Sequence, residues 1–176
     1  GTSLPTANVL ADGDTDRISP QAWYYWGPFG VFAEYVVSSH DVIRRAGATA
    51  ATTTRGSFDN NAWQIAASYF LTGEENSFAP ITPRRPFVFG NEGWGAWEIA
   101  ARFGQLEVDD DIFRDRDGNG APDFATTASA RKVREWGVGL NWHLNRNVKA
   151  SVNYVNTDFK GGTEAKGEVT GQDEEA

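Results

Sequence analysis

Residues 134–159, REWGVGLNWHLNRNVKASVNYVNTDF, decide the fold of this chain. Apolar residues occupy every second position on both sides of a short polar turn. On the first arm they are Trp136, Val138, Leu140, Trp142 and Leu144, and on the second arm Val148, Ala150, Val152 and Tyr154. Because successive side chains of a β-strand point to opposite faces, this alternation predicts an antiparallel hairpin with one apolar face. Large aromatic residues near the strand ends favour a membrane β-barrel, whose wall is apolar outside and wet inside.

The same alternation recurs along the chain. Further strands are predicted at residues 21–26, 29–38, 61–71 and 96–108. Gly27 and Pro28 predict a tight turn between the first two of these strands. Residues 4–11 are interpreted as the end of an earlier strand. The sequence therefore predicts an all-β, transmembrane antiparallel barrel to which this chain contributes roughly 6–7 strands.

The connections between these strands differ in length. Long polar connections are predicted near residues 12–19, 39–57, 109–133 and 160–176. Outer-membrane barrels have long extracellular loops and short periplasmic turns, so these four connections are expected to be extracellular. The connection at residues 72–95 breaks the pattern, because it is long yet lies on the short-turn side. Its prolines predict an ordered, extended segment.

Composition excludes several classes of protein. The 176 residues include no cysteine, and 24 acidic residues against 16 basic ones give a formal charge of -8. A mean hydropathy of -0.49, with no apolar run near the length of a membrane helix, excludes a transmembrane helix but not a barrel. The acidic residues crowd into the long connections. The sequence contains no stripe of basic residues that could bind a phosphate backbone, which disfavours nucleic acid as a partner. No catalytic triad, paired carboxylates or phosphate-binding glycine loop is present, so the sequence does not predict an enzyme.

The predicted strands are too few to close a membrane barrel, since the smallest barrels have about eight. The first residues also lack the basic start and apolar run of a signal peptide. An unpaired strand edge in a membrane is costly. The chain is therefore expected to be part of a longer polypeptide that supplies the remaining strands.

Five phrases resemble the phosphate-selective porin O and P family of Gram-negative outer membranes, in that family's order and spacing. They are YYWGPFGVFAEYV at 24–36, SYFLTGEE at 68–75, RRPF at 84–87, GWGAWEIAARF at 93–103 and GLNWHLNRNVKASVNYV at 139–155. The resemblance implies that residues 1–176 are the carboxy-terminal part of a single barrel domain of about 16 strands in the bacterial outer membrane.

The same resemblance implies a water-filled channel for passive diffusion of small anions, including phosphate or polyphosphate. It also implies a homotrimer in contact with outer-membrane lipid and lipopolysaccharide. In phosphate-selecting members, basic residues of an inward-folded loop in the amino-terminal half line the pore. That half is not in this chain, so no anion-binding position is transferred from the family.

Four basic residues are candidates for contact with anions. Arg102 and Lys149 lie on the less apolar faces of their strands, where a barrel lumen would be. Anion selectivity requires positive potential at a narrow point. Arg84 and Arg85 lie between prolines in the long connection, where adjacent guanidinium groups could bind phosphate. The alternatives are ordinary salt bridges with Glu98 or other wall carboxylates for the first pair, and a solvated turn for the second.

Residues 115–126, DRDGNGAPDFAT, have the spacing of a calcium loop. The candidate ligands are Asp115, Asp117, Asn119, the carbonyl of Ala121, and Asp123. Thr126 stands where a bidentate glutamate belongs, and Asp, Asn and Gly are also common turn residues. Calcium is thus a candidate ligand of this loop, and the sequence indicates no required cofactor.

Two other kinds of protein fit the same alternation. One is a soluble β-sandwich that binds carbohydrate or calcium and buries its tryptophans between two sheets. The other is a structural barrel that anchors the envelope and conducts only incidentally. Solubility without detergent would identify the sandwich, and a lack of selective conductance would identify the anchor.

Overall fold

A computed structural model of the chain describes residues 8–46, 52–90, 92–116, 123–125 and 129–161. The strands in these ranges are β1 (Asn8–Ile18), β2 (Gln21–Trp26), β3 (Phe29–Ala46), β4 (Thr52–Phe70), β5 (Ala96–Glu107), β6 (Ala130–His143) and β7 (Lys149–Gly161). A 3-10 turn at Asp110–Phe113 follows β5. Within the described ranges, no helix has the length and apolar character needed to cross a membrane.

The described strands form one antiparallel sheet in the order β1, β3, β4, β5, β6, β7. β1 and β2 pair with successive parts of the same edge of β3, β2 with residues 29–34 and β1 with residues 37–45. Together they therefore span the length of β3. They are separated at Ser19 and Pro20, where proline cannot donate to the ladder. The all-β, antiparallel fold predicted from the sequence is confirmed, and the described sheet is open rather than closed.

The strand register collects the alternating apolar residues on one face, which we call the outer face. One row across the sheet joins Val31, Ala67, Ala101, Val138 and Tyr154. The next row joins Phe29, Tyr69, Ile99, Leu140 and Val152. Rows two residues apart share a face, so these rows form a continuous apolar surface. Val152 is 76% exposed and Tyr69 46%. No second sheet covers them within the described residues, unlike the arrangement expected of a sandwich.

The opposite surface, which we call the inner face, is polar and rich in small residues. One of its rows joins Gly30, Ser68, Ala100, Gly139 and Asn153. The small side chains leave a groove of about 410 Å³ along this face, and Arg102 borders it. One wall of this protein therefore has an exposed apolar side and a recessed polar side.

The connections predicted near residues 12–19 and 39–57 are shorter in the structure than the sequence predicted, because the strands extend through most of both ranges. β1 continues to Ile18, β3 to Ala46, and β4 begins at Thr52. These extensions contain pairs such as Ser39 with Asp59, which lack the alternation of the apolar rows. The backbone ladder needs no particular side chain, so pairing continues where the pattern ends. The early strand predicted at residues 4–11 is likewise observed as Asn8–Ile18.

The other two predicted loops differ in how far the structure describes them. The third lies between Glu107, the end of β5, and Ala130, the start of β6, so it ends earlier than the predicted residue 133. The fourth follows Gly161, and residues 162–176 lie outside the described part of the chain.

Candidate pore-lining surface

A carboxylate on the inner face is held by uncharged donors from neighbouring parts of the wall. Glu34 of β3 accepts hydrogen bonds from the Ser19 hydroxyl at 2.7 Å, from Gln21 Nε2 at 2.9 Å and from Gln64 Nε2 at 2.8 Å. These donors come from the β1–β2 junction, β2 and β4. The carboxylate thus bridges three neighbouring segments of the wall.

Arg102 of β5 makes an ion pair with Glu135 of β6, through its Nη2 and the Oε1 of the carboxylate. Thr157 Oγ1 donates to the other oxygen of Glu135 at 3.3 Å. The Arg102 side chain is 52% exposed, because its strand neighbours are Ala66 and Gly137. The geometry is that of the ordinary wall salt bridge considered from the sequence, although the partner is Glu135 rather than Glu98.

A second cluster lies where the short turns are. Glu98 Oε2 is 3.0 Å from His143 Nε2 and accepts from Asn141 Nδ2 at 3.0 Å. Phe70, which is 1% exposed, lies beside the imidazole with ring centroids 5.6 Å apart. Lys149 is the strand partner of His143, and its side chain is exposed. Among the described residues Lys149 makes no ion pair.

The long connection at residues 72–95 begins by folding onto the inner face. Asn76 Nδ2 donates to the Ser68 hydroxyl at 2.7 Å, and Asn76 N donates to the Gly27 carbonyl at 2.7 Å. The Phe78 ring packs edge-on against Trp23 and Tyr25, at 5.0 and 5.6 Å between centroids. This stretch, which we call the inner segment (residues 72–83), narrows the short-turn end of the inner face.

The inner segment is held by a buried carboxylate. Glu74, which is 5% exposed, accepts from the backbone N–H of Arg84 at 3.2 Å and from the Thr72 hydroxyl. The side chains of Arg84 and Arg85 are exposed. The four basic candidates belong to two parts of the structure: Arg84 and Arg85 lie on the long connection, whereas Arg102 and Lys149 lie on the wall.

The loop between β5 and β6 packs onto the opposite end of the inner face. Arg44 Nη1 is 2.9 Å from Asp123 Oδ1, with side-chain exposures of 14% and 0%. The Phe124 ring packs edge-on against Phe58, with centroids 5.0 Å apart. Arg44 and Phe58 have the strand parity of Glu34 and Gln64, so this contact lies on the inner side.

Asp109 and Asp110 fix the start of the same loop. Asp109 N donates to Asn60 Oδ1 at 3.1 Å, and Asp109 Oδ2 accepts from Asp59 N at 2.9 Å. The side-chain hydrogen bond from Arg131 is the main cause of a lowered pKa for Asp110, and the nearby positive charges add to it.

A family model described as phosphate-selective porin O and P matches residues 1–175. The chain belongs to this family. A search of curated proteins found no match. The resemblance noted in the sequence is confirmed, and so is the bacterial outer membrane as the location of this porin. The family is one of channels rather than of enzymes.

Membership assigns the two faces of the porin wall. In an outer-membrane barrel the exposed apolar face contacts lipid and the polar face lines the lumen. The stacked pair Trp97 and Trp142, 5.3 Å apart at 12°, then lies at the lipid interface near the short turns. Arg102 and Lys149 lie on the inner face by strand parity, and their contact with anions stays a prediction.

The porin loop whose spacing resembles a calcium loop, residues 115–126, is only partly described. Asp117, Asn119, Ala121 and Thr126 lie outside the described residues. Asp115 is exposed, and both oxygens of Asp123 have protein partners, namely Arg44 Nη1 and the backbone N–H of Arg116 at 3.1 Å. The described residues contain no group of three metal-binding side chains. Calcium in this loop stays a prediction.

Several structural residues of the porin lumen were not singled out from the sequence. Asn76, Phe78 and Glu74 hold the inner segment, and Arg44 holds the loop between β5 and β6. The small residues opposite Asn76 were the one available signal, because a Cβ at Gly30 would lie 2.7 Å from the Asn76 side chain. A glycine on a lumen face indicates that something approaches it closely.

Proposed function

We propose that this chain forms part of a channel for passive diffusion of small inorganic anions, with phosphate as the leading solute. The observation that carries the proposal is the inner face itself, which is recessed along its middle, where small residues and Arg102 line a groove, and is covered by chain segments near both ends. Where a chain segment covers the inner face, solutes must pass close to the charged side chains of the wall. Selectivity between ions is determined at such narrow points. Polyphosphate, assembly as a homotrimer and contact with lipopolysaccharide belong to the same proposal.

Lys149 is the residue of this chain that best fits a role in anion selectivity. The charge of Arg102 is balanced by Glu135, whereas Lys149 makes no ion pair among the described residues. Lys149 also lies at the end of the wall that the inner segment covers, since its strand partner His143 contacts Phe70. An uncompensated ammonium there raises the local concentration of anions.

Replacing Lys149 with glutamine is therefore expected to lower the anion-to-cation permeability ratio by about twofold. The measurement is the reversal potential of the intact porin in planar bilayers under chloride and phosphate gradients. Lys160→Gln is the matched control, because Lys160 is an exposed lysine of the same strand with outer-face parity. An unchanged ratio in Lys149→Gln, or an equal fall in both variants, would contradict the role. A pore without conductance would instead favour the envelope anchor.

Calcium binding by residues 115–126 is a separate proposal, supported by oxygen ligands at alternate positions. Titration of the intact porin with calcium is expected to show saturable binding, and Asp117→Ala is expected to weaken it about tenfold or more. Asp16→Ala is a control that removes an equal charge from another strand end. Equal binding by the porin and Asp117→Ala would end the calcium proposal.

A further inference from the structure

The second half of the long connection, residues 84–95, leaves the lumen and reaches the lipid-facing side of the wall. Phe87 N donates to the Leu144 carbonyl at 2.7 Å, and the Phe87 ring packs edge-on against Trp142 at 5.1 Å. Trp142 Nε1 in turn donates to the Trp94 carbonyl at 2.7 Å. Trp142 belongs to the outer face, so these contacts fix both ends of the stretch to that side. We call the described residues of this stretch, 84–90 and 92–95, the tongue.

The tongue is closed upon itself at its root. Gly95 N donates to the Arg85 carbonyl at 2.9 Å. At Gly93 the two sides approach so closely that an added Cβ would lie 2.0 Å from the Pro86 carbonyl oxygen. Only glycine permits this approach, and Gly90 near the tip has a φ of 82° that also favours glycine. The tongue is therefore a built projection with a defined shape.

The tongue carries three largely exposed apolar side chains, those of Val88 and Phe89 near its tip and of Trp94 at its root. Phe89 is 95% exposed, Trp94 72% and Val88 52%. Apolar surface is more stable out of water, so leaving three such side chains exposed to water is unfavourable. A turn surrounded by water would be destabilised by a cluster of exposed apolar side chains, whereas a segment that enters lipid would be stabilised by it.

The surroundings of the tongue identify what covers it. Its root packs on Trp142, which stacks on Trp97 within the lipid-facing apolar surface, so the tip continues that surface. Arg84 and Arg85 are exposed at the root, and guanidinium groups bind phosphate through paired hydrogen bonds. Aromatic rings flanked by arginine are typical of a membrane interface.

We propose that the tongue is a membrane anchor that inserts into the phospholipid leaflet at the short-turn end of the barrel. Phe89 and Trp94 lie among the acyl chains, and Arg84 and Arg85 bind headgroup phosphates. The connection that interrupts the short-turn side thus has two functions, since its first half covers the lumen and its second half holds the rim of the wall in lipid.

A single cysteine tests the anchor, because this sequence contains no cysteine. Phe89→Cys, labelled with an environment-sensitive fluorophore, is reconstituted as intact porin in vesicles of phosphatidylethanolamine and phosphatidylglycerol. Brominated phospholipid is expected to quench this label at least about twofold more than a label at Ser77→Cys, an exposed position of the inner segment. The substitution removes little packing, since Phe89 is almost fully exposed.

A label at Val138→Cys, on the apolar outer face, is the internal reference for lipid contact. If brominated lipid quenches the Val138 label while iodide in the buffer quenches the Phe89 label as strongly as the Ser77 label, the anchor is overturned and the porin stands. Disulfide-linked copies of Phe89→Cys in the membrane would also overturn it, because the tip would then contact another subunit rather than lipid.

Discussion

Replacing Arg44 with methionine is expected to destabilise the porin by about 3–5 kcal/mol and to release the loop between β5 and β6 from the lumen face. The Asp123 carboxylate is fully buried, and Arg44 makes the charge-assisted hydrogen bond to it at 2.9 Å. Methionine keeps much of the length of the side chain but removes the positive charge. The buried carboxylate would then keep its hydrogen bond from the Arg116 backbone N–H, but its negative charge would have lost the positive partner that offsets the cost of desolvation.

The measurements for Arg44→Met are the urea midpoint of the intact porin, followed by tryptophan fluorescence, and proteolysis within the loop. Arg55→Met is the matched control, since Arg55 lies on the neighbouring strand and pairs with Asp12 at 3.2 Å. That pair is 78% and 40% exposed, so its loss costs about 0–1 kcal/mol. Equal midpoints and equal cleavage in the two variants would show that the loop is not held by Arg44.

The second large effect is expected when the inner segment loses its contacts with the wall. The double variant Asn76→Ala with Phe78→Ala removes the hydrogen bond to Ser68 and the ring contacts with Trp23 and Tyr25. Released from the lumen face, the segment is expected to obstruct the channel less. Single-channel conductance should then rise by about twofold, with greater open-channel noise.

The control for the inner segment is Ser77→Ala, which lies between the two substituted positions. The Ser77 hydroxyl accepts a hydrogen bond from Ala79 N and is exposed, so its loss leaves the wall contacts intact. Wild-type conductance and noise in a correctly folded double variant would contradict a role for the segment in covering the lumen. Conductance of Ser77→Ala is expected to match the wild type.

Much of the wall could be predicted from the sequence because its two faces meet different media. Period-two alternation located β2, β5 and β6 with bounds close to those observed. It also fixed which side of each strand faces lipid, since one residue of slippage would exchange the two faces. Register across five strands then follows from matching their apolar positions.

The strand extensions could not be predicted in the same way. β1 reads NVLADGDTDRI, in which acidic residues and glycine interrupt any alternation. Beyond the apolar rows neither face of an extension needs to be apolar, so the sequence there resembles a loop. Backbone pairing with β3 nevertheless continues, with a register shift between Ala11 and Thr15.

The lumen contacts were least accessible to sequence reasoning, because they join residues far apart in the chain. Arg44 and Asp123 are separated by 79 positions, and no local pattern relates them. The calcium-like spacing around Asp123 instead predicted that it is a metal ligand. In the inner segment the prolines were the only sequence signal, and they predict an ordered segment. They do not predict that Asn76 and Phe78 contact the wall.

The central claim is that the outer face, which carries Trp63, Trp97, Trp136 and Trp142, contacts lipid while the inner face contacts water. The most direct test is cysteine accessibility along β6 in the reconstituted porin, with a membrane-impermeant thiol reagent. Cysteines at Glu135, Asn141 and His143 are expected to react, and those at Trp136, Val138 and Leu140 to be protected and to be quenched by brominated lipid once labelled. Equal reactivity at the two sets of positions, or protection of the first set alone, would contradict the account.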